Sequence, residues 1–166
     1  MRDIPPLAEC FAPDTIASLE RAAEQRFTTA EFLRTERRLA ALYLYGYTAE
    51  ICLAAAYFRS AGFKRNQTID STRRKRHMAQ AKQLGIMTKD PHPIVGWARF
   101  LEWQRLSAGN LSAIDSQRLK EAINKGTVIY NYWRPELRYK TVEITDEQIN
   151  EVRRAAKWLL DNREKL

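Results

Sequence analysis

Apolar residues recur at spacings of three and four along most of the chain, which is the period of an amphipathic α-helix. A first helix is predicted to begin after Asp14, whose side chain we expect to cap it. A second, much longer helix is predicted to begin at Thr28 or Thr29 and to end before Gly62. The apolar face of the first helix consists of Ile16, Leu19, Ala23 and Phe27. The apolar stripe of the second consists of Phe32, Leu39, Tyr43, Gly46, Tyr47, Ile51, Ala54 and Phe58.

Two further helices are predicted in the middle of the chain. After a polar loop over residues 60–69, Asp70 or Ser71 can cap a third helix that ends at Gly85. Its apolar stripe is thin, so most of this helix should face solvent; the stripe consists of Met78, Ala81 and Leu84. A fourth helix follows the prolines at 91 and 93 and ends near Gly109. Its apolar residues are Ile94, Trp97, Ala98 and Leu101.

The remaining sequence predicts two more helices separated by an irregular segment. The fifth helix begins near Ser112, and Pro135 prevents its continuation. Its apolar residues repeat at spacings of 4, 3, 4 and 3, as in a bundle seam: Leu119, Ile123, Gly126, Tyr130 and Trp133. Residues 134–144 should be extended, with a short strand as one option. Thr145 and Gln148 form a capping box for the last helix, whose inner face is Ile149, Val152, Ala156 and Leu159.

These elements predict an all-α fold, an antiparallel bundle of about six helices around a long central helix. The chain has only six glycines and six prolines, too few for the many turns of a β-sandwich. No repeat, low-complexity segment or linker divides it. We therefore expect a single domain over residues 1–166, with a core over about 28–160 and the helix at 14–27 packed on that core.

Composition excludes collagen-like, disulfide-scaffold and mostly disordered proteins. The 166 residues are 45% hydrophobic and 29% charged, as in ordinary globular proteins. Cys10 and Cys52 are far apart, so we expect neither a disulfide nor a metal role. The chain shows no signal core near Met1, which favours a reducing cytoplasm. Residues 39–58 are long enough to span a bilayer, but Glu50, several tyrosines and weakly hydrophobic alanines favour a buried central helix and no membrane contact.

Glu50 is the one charged residue between Arg38 and Arg59. A carboxylate alone in an apolar helix requires a partner, because an unpaired buried charge is costly. One interpretation is a structural ion pair or hydrogen bond that fixes helix register, which we favour. The other is a polar site inside the bundle.

A basic stretch over residues 64–82 supplies most of the net charge of +8. It contains one anion, Asp70, and seven cations: Lys64, Arg65, Arg73, Arg74, Lys75, Arg76 and Lys82. Such a helix can neutralise phosphates, so these seven residues are our candidate nucleic-acid contacts. A solvated helix face without a ligand is the equal alternative. Trp103, Trp133 and Tyr139 could stack on bases if they are exposed.

The two histidines give only a weak case for catalysis. His77 shares a helix face with Arg73 and Arg74, and a histidine with an arginine can serve as a ribonuclease pair; incidental proximity within a basic run is the favoured interpretation. We expect His92 to cap or pack at a helix start. Neither histidine has the spacing of a metal site, and the sequence contains no glycine-rich phosphate loop, so no metal or cofactor is predicted.

The string over residues 37–56 resembles the opening helix of HEPN-domain proteins, with an Ala/Leu-rich run followed by Gly46-Tyr47 and Glu50. Leu53 also fits that pattern, whereas Ala54 stands where the family often has lysine. Residues 133–139 are similar to the segment that precedes the family's last helix. Together the two segments make Arg138 the best candidate partner for Glu50.

The resemblance implies an all-α bundle that dimerises and functions in prokaryotic stress response, defence or toxin–antitoxin pairs, often beside a nucleotidyltransferase or antitoxin partner. Catalytic members are metal-independent ribonucleases with an arginine four to six residues before a histidine, and this motif is absent here. We therefore favour a non-catalytic HEPN-like homodimer that binds RNA, nucleotides or a partner protein. The alternatives are a ribonuclease toxin that uses His77 with Arg73 or Arg74, and a pure protein-interaction module.

Overall fold

The computed structural model describes residues 14–87, 92–109 and 111–166, without the side chain of Arg138. This part of the chain contains six α-helices and one short 3-10 helix: α1 (Ile16–Leu33), α2 (Arg38–Ser60), α3 (Ser71–Gln83), α4 (Ile94–Ser107), α5 (Ala113–Tyr132), the 3-10 helix (Pro135–Tyr139) and α6 (Asp146–Asn162). Its only β pairing is an isolated bridge between Asp14 and Ile69. The prediction of an all-α helical bundle is confirmed.

Helix α2 is the central element, and α1, α4, α5 and α6 all pack against it. Fourteen of its 23 residues are buried, among them Ala41, Leu42, Ala49, Leu53 and Phe58. By length and composition alone α2 could cross a membrane, but 67% of its most apolar window is buried inside the bundle. The predicted long central helix is therefore present, and it forms part of the buried core of the bundle.

The boundary between the first two helices differs from the prediction. Helix α1 runs through Thr28 and Thr29 to Leu33, and the Thr29 hydroxyl donates to the Gln25 carbonyl within the helix. A turn at residues 34–36 then leads into α2, which has no side-chain cap. The predicted apolar residue Phe32 is 84% exposed near this turn. The cap of α1 is Thr15, in a capping box with Ser18, and not Asp14.

Helices α4 and α5 form the next layer of the bundle and pack against each other. The predicted inner residues of α4 are all buried: Ile94, Trp97, Ala98 and Leu101. Ser112 caps α5, and its side chain accepts a hydrogen bond from the Asp115 amide. Leu119, Gly126 and Trp133 of the predicted seam are buried, whereas Ile123 and Tyr130 are half-buried.

Helix α6 packs against α2 and α5 behind the predicted capping box of Thr145 and Gln148. Its four predicted inner residues are all buried: Ile149, Val152, Ala156 and Leu159. The segment before it contains no strand in the described chain: Pro135–Tyr139 is a 3-10 helix, and residues 140–145 are irregular. The prediction of a short strand within residues 134–144 is therefore wrong.

Candidate nucleic-acid interface

Helix α3 lies at the edge of the bundle and presents most of its surface to solvent. Asp70 caps it, and the Asp70 side chain accepts a hydrogen bond from the Arg73 amide. Gly85 follows the helix with φ +70°, in the left-handed region that glycine adopts readily. Ala81 is its only buried residue, while Met78 is half-buried and Leu84 is 46% exposed. The prediction of a mostly solvated helix is confirmed, although Leu84 does not join the apolar stripe.

The exposed face of α3 is cationic and contains no acidic side chain. Lys75, Arg76 and Lys82 are exposed there, together with the exposed residues Gln80 and Gln83. Within the described chain these three cations form no ion pair, and Lys64 in the preceding loop forms none either. They are the part of the basic stretch that the folded protein does not neutralise.

The other three predicted contacts are engaged with the protein itself. Arg65 pairs with the buried carboxylate of Glu20, Nη2 to Oε2 at 3.1 Å. Arg73 pairs with Asp70 at 3.4 Å. The Arg74 guanidinium lies 3.8 Å from an Asp14 carboxylate oxygen and 5.8 Å from the centroid of the Trp97 ring. The structure thus divides the seven predicted cations into three that stabilise the fold and four that remain available.

His77 joins α3 to the core. Its Nδ1 lies 2.7 Å from the Tyr57 hydroxyl, and its ring makes edge contacts with Tyr57, Phe58 and Phe63. Burial lowers the pKa of His77 below its usual 6.5, and the charge of Arg76 lowers it further. In the described chain no hydrogen bond or ion pair joins His77 to Arg73 or Arg74. The three weak catalytic candidates therefore lie on one helix without forming a shared site.

A second polar cluster surrounds Glu50. This carboxylate is only 5% exposed, and its Oε2 lies 2.9 Å from Nδ1 of His92, just before α4. The His92 ring is edge-on to the rings of Tyr47 and Trp133, at 5.6 and 5.9 Å between centroids. Trp133 in turn donates from Nε1 to the Tyr43 carbonyl. The cluster connects α2 to the start of α4 and to the end of α5.

The Arg138 side chain lies outside the described residues, so its predicted pairing with Glu50 stays a prediction. The sequence alone does not indicate His92 as a partner of Glu50. The two residues are 42 positions apart, and no local spacing connects them. The available signal was indirect: an isolated carboxylate in an apolar helix and only two histidines in the chain.

The three aromatic residues predicted to stack on bases offer limited stacking surface. Trp133 is fully buried, which excludes it as a base-stacking residue. Trp103 is half-buried and stacks on Phe100, while Tyr139 is 74% exposed on the 3-10 helix. Of the three aromatic residues predicted to stack on bases, only Tyr139 and the exposed part of the Trp103 ring are accessible.

The remaining chemistry-bearing groups that the structure describes are not brought together into a further site. Across the described residues no group of three histidine, cysteine or acidic side chains could hold a metal ion. Cys52 is fully buried, and burial raises the pKa of its thiol to about 12. A groove of about 1120 Å³ lies beside the first turns of α2, but its charged lining is mixed. Its cations are Arg37, Arg38 and Lys140, and its anions are Glu36, Glu143 and Asp146.

Comparison with known proteins identifies no relative: no family model, no curated protein and no solved structure matches this chain.

Proposed function

We propose that this protein is a non-catalytic, HEPN-like RNA-binding module that contacts the phosphates of single-stranded RNA through the exposed face of α3. The observation that supports this most directly is the set of four exposed cations without an ion pair in the described chain, Lys64, Lys75, Arg76 and Lys82. Three of them lie on a helix that has no acidic side chain.

The folded protein gains little from this concentration of charge. Arg73 and Arg76 stand three positions apart on α3, and like charges at this spacing destabilise a helix by a few tenths of a kcal/mol. Binding a polyanion removes this repulsion and releases condensed counterions. Because Arg65, Arg73 and Arg74 already have partners, the four remaining cations define the surface on which phosphate would bind.

The HEPN part of the proposal rests on the two resembling segments and on the placement of Glu50. The all-α bundle agrees with the fold that the resemblance implies, and Glu50, part of the resembling segment, lies buried in its long central helix. A place in stress response, defence or a toxin–antitoxin pair, beside a nucleotidyltransferase or antitoxin, follows from the same resemblance and belongs to the same proposal.

Catalysis by His77 receives less support from the geometry. Its Nδ1 is engaged with the Tyr57 hydroxyl, and three aromatic rings surround it. A general acid or base must reach the proton that it transfers, and it needs the transition-state charge to be stabilised nearby. Arg73 and Arg74 are directed to Asp70, Asp14 and Trp97 instead.

Fluorescence anisotropy with a labelled single-stranded RNA tests the proposal. The variant Lys75→Glu/Arg76→Glu/Lys82→Glu should lose binding. A matched control reverses three exposed cations elsewhere that also form no ion pair in the described chain, Lys120→Glu/Arg154→Glu/Lys165→Glu, and therefore has the same net charge. The control should retain most of the wild-type affinity, because the contact is local. Equal losses in both variants would indicate only a long-range charge effect.

Salt dependence gives an independent measure of the same contact. Four engaged cations on single-stranded RNA predict a log–log slope of affinity against salt of about −3. The wild-type protein should not cleave the RNA in the presence of EDTA. Cleavage by the wild type and not by His77→Ala would favour the ribonuclease, and absence of both binding and cleavage would favour a protein-interaction module.

A further inference from the structure

A cavity of about 270 Å³ lies between α4 and α5, at the point where the chain leaves α3. Its lining combines apolar side chains and backbone with a few polar groups: Ile86, Pro93, Val95, Gly96, Arg99, Thr127 and Tyr130. A concave, mainly apolar site with few polar groups is the usual form of a small-molecule site. The volume suits a ligand of the size of a nucleobase.

Helix α4 supplies both a closely packed part of the cavity wall, at Gly96, and a cationic part, at Arg99. A Cβ added at Gly96 would lie 2.9 Å from the Met87 Cγ and 3.0 Å from the Pro93 Cβ, so the backbone at Gly96 is closely packed there. Just beyond the end of α5, the Arg134 guanidinium lies 3.5 Å from the centroid of the Tyr130 ring. Arg99 lines the cavity and is exposed to solvent.

The cavity is continuous along the chain with the cationic face of α3. Ile86, which lines it, follows Lys82 by four residues, and its amide donates to the Ala81 carbonyl. Near the other end of α3, the Arg74 guanidinium lies over Trp97, the residue that follows Gly96. Lys82 on the cationic face and Ile86 in the cavity lining are thus only four residues apart, so an RNA strand that binds the end of α3 can reach the cavity.

We propose that this cavity binds one unstacked base of the RNA strand whose phosphates contact α3. Single-stranded RNA is recognised mainly through bases that stack on aromatic rings or arginine planes, and Tyr130 with Arg134 supplies such a pair. Arg99 would neutralise the phosphate next to the inserted base. This inference rests on the proposed RNA-binding function and adds the base to the phosphate contacts.

The test compares a single-stranded RNA with an abasic ribose-phosphate oligomer of equal length. The wild type should prefer the RNA by about tenfold, which lies within the range measured for stacking of one base. Thr127→Trp places an indole in the cavity from an exposed helix position and should reduce the affinity for RNA to that for the abasic oligomer. Gln117→Trp adds the same side chain on the same helix outside the cavity lining and should keep the preference.

Arg99→Ala provides a second readout that does not depend on how Thr127→Trp folds. It should weaken RNA binding severalfold while leaving the thermal unfolding midpoint unchanged, since Arg99 is exposed. The proposal would be overturned if Thr127→Trp still preferred RNA to the abasic oligomer as strongly as the wild type does and Arg99→Ala kept its full affinity for RNA. Equal wild-type affinity for RNA and abasic oligomer would also overturn it, although the phosphate contact on α3 would then stand.

Two further outcomes separate this proposal from the one on which it rests. If the wild type binds neither oligomer, the proposed function itself fails. Free mononucleotides supply the same base chemistry, so AMP and UMP are tested as ligands in the same assay. One outcome would assign the cavity to free nucleotides and overturn the RNA assignment. In that outcome the wild type binds a mononucleotide but not the abasic oligomer, and Thr127→Trp abolishes the mononucleotide binding.

Discussion

The indole ring of Trp133 occupies the space in which any side chain at Gly46 would lie. A Cβ built on Gly46 would come within 2.2 Å of the Trp133 Cδ1 and Nε1 atoms. The same indole is fully buried and donates a hydrogen bond to the Tyr43 carbonyl, one turn before Gly46 on α2. The glycine in the middle of the central helix is therefore the contact point for the end of α5.

Gly46→Ala should destabilise the protein by about 3 kcal/mol, because overpacking a rigid core forces side chains or backbone to move. Gly126→Ala is the matched control within a helix. Its added Cβ would lie 3.4 Å from the Ile94 Cγ2, an ordinary contact, and alanine is the better helix former by about 1 kcal/mol. Urea unfolding should show a large loss for the first variant and little change for the second. Equal stabilities would contradict the close contact.

Glu50→Ala should destabilise the protein by about 3 kcal/mol, because it removes a buried, paired carboxylate and leaves the half-buried His92 without its acceptor. Glu50→Gln retains one oxygen acceptor and should lose less. Double-mutant cycles of Glu50→Ala with His92→Ala and with Arg138→Ala then measure each coupling separately. Additive losses in the first cycle would contradict the contact of 2.9 Å between Glu50 and His92. Additive losses in the second would contradict the predicted pairing with Arg138.

Acidification should weaken the fold through His77. Its pKa in the folded protein is lowered by burial, so between that value and the ordinary 6.5 the unfolded chain binds more protons than the folded one. The free energy of unfolding should therefore fall as the pH drops below about 6.5. His77→Gln removes this contribution, and its stability should depend less on pH between 7 and 5. Identical pH dependence in the two proteins would exclude His77 as the responsible group.

We expect the protein to be a homodimer in solution, with helices forming the interface. Two-fold pairing is the commonest closed assembly of identical chains, and the resemblance to HEPN-domain proteins, which often dimerise, leads to the same expectation. Light scattering coupled to size-exclusion chromatography should give about twice the chain mass of 19.4 kDa. A mass of one chain at every concentration tested would contradict this prediction.

Helix ends with a chemical signal were predictable from the sequence. Asp70, one of the two predicted caps of the third helix, caps it, and Thr145 with Gln148 forms the predicted box. The fifth helix begins where it was predicted to begin, with Ser112 as its cap. The left-handed glycines at 62, 85 and 109 follow helix ends in the same way. Each of these signals acts within three or four residues, so a single sequence is sufficient to recognise it.

The break between α1 and α2 was not predictable by the same rules. Residues 34–37 contain no glycine or proline, and Arg37, at the N-cap position of α2, forms no side-chain cap. Thr28 and Thr29 have side chains suited to capping a helix, but α1 extends past them because its packing against α2 stabilises the additional turn. Tertiary contacts thus decide this boundary, which local preferences leave undetermined.

The sequence was sufficient to predict where positive charge concentrates, but not how the charged side chains are arranged in the folded protein. The sequence locates the basic stretch, but only the structure separates Arg65, Arg73 and Arg74, which have protein partners, from the four cations that form no ion pair in the described chain. The contact between Glu50 and His92 and the cavity beside Tyr130 both join residues that are distant in sequence. Such sites arise from packing, which has no local signature.

The small residues of α2 determine how the sequence of this protein can vary. Ala41, Ala49, Ala54, Ala55 and Ala56 are at most 1% exposed, so neighbouring helices approach the backbone of α2 closely and supply the volume of the core themselves. At these alanines of α2, enlarging the residue is therefore the harmful substitution, whereas at the large buried residues of α4 and α5 truncation is harmful because it opens a cavity. A mutational scan should show this opposite sensitivity to side-chain size on the two sides of one interface.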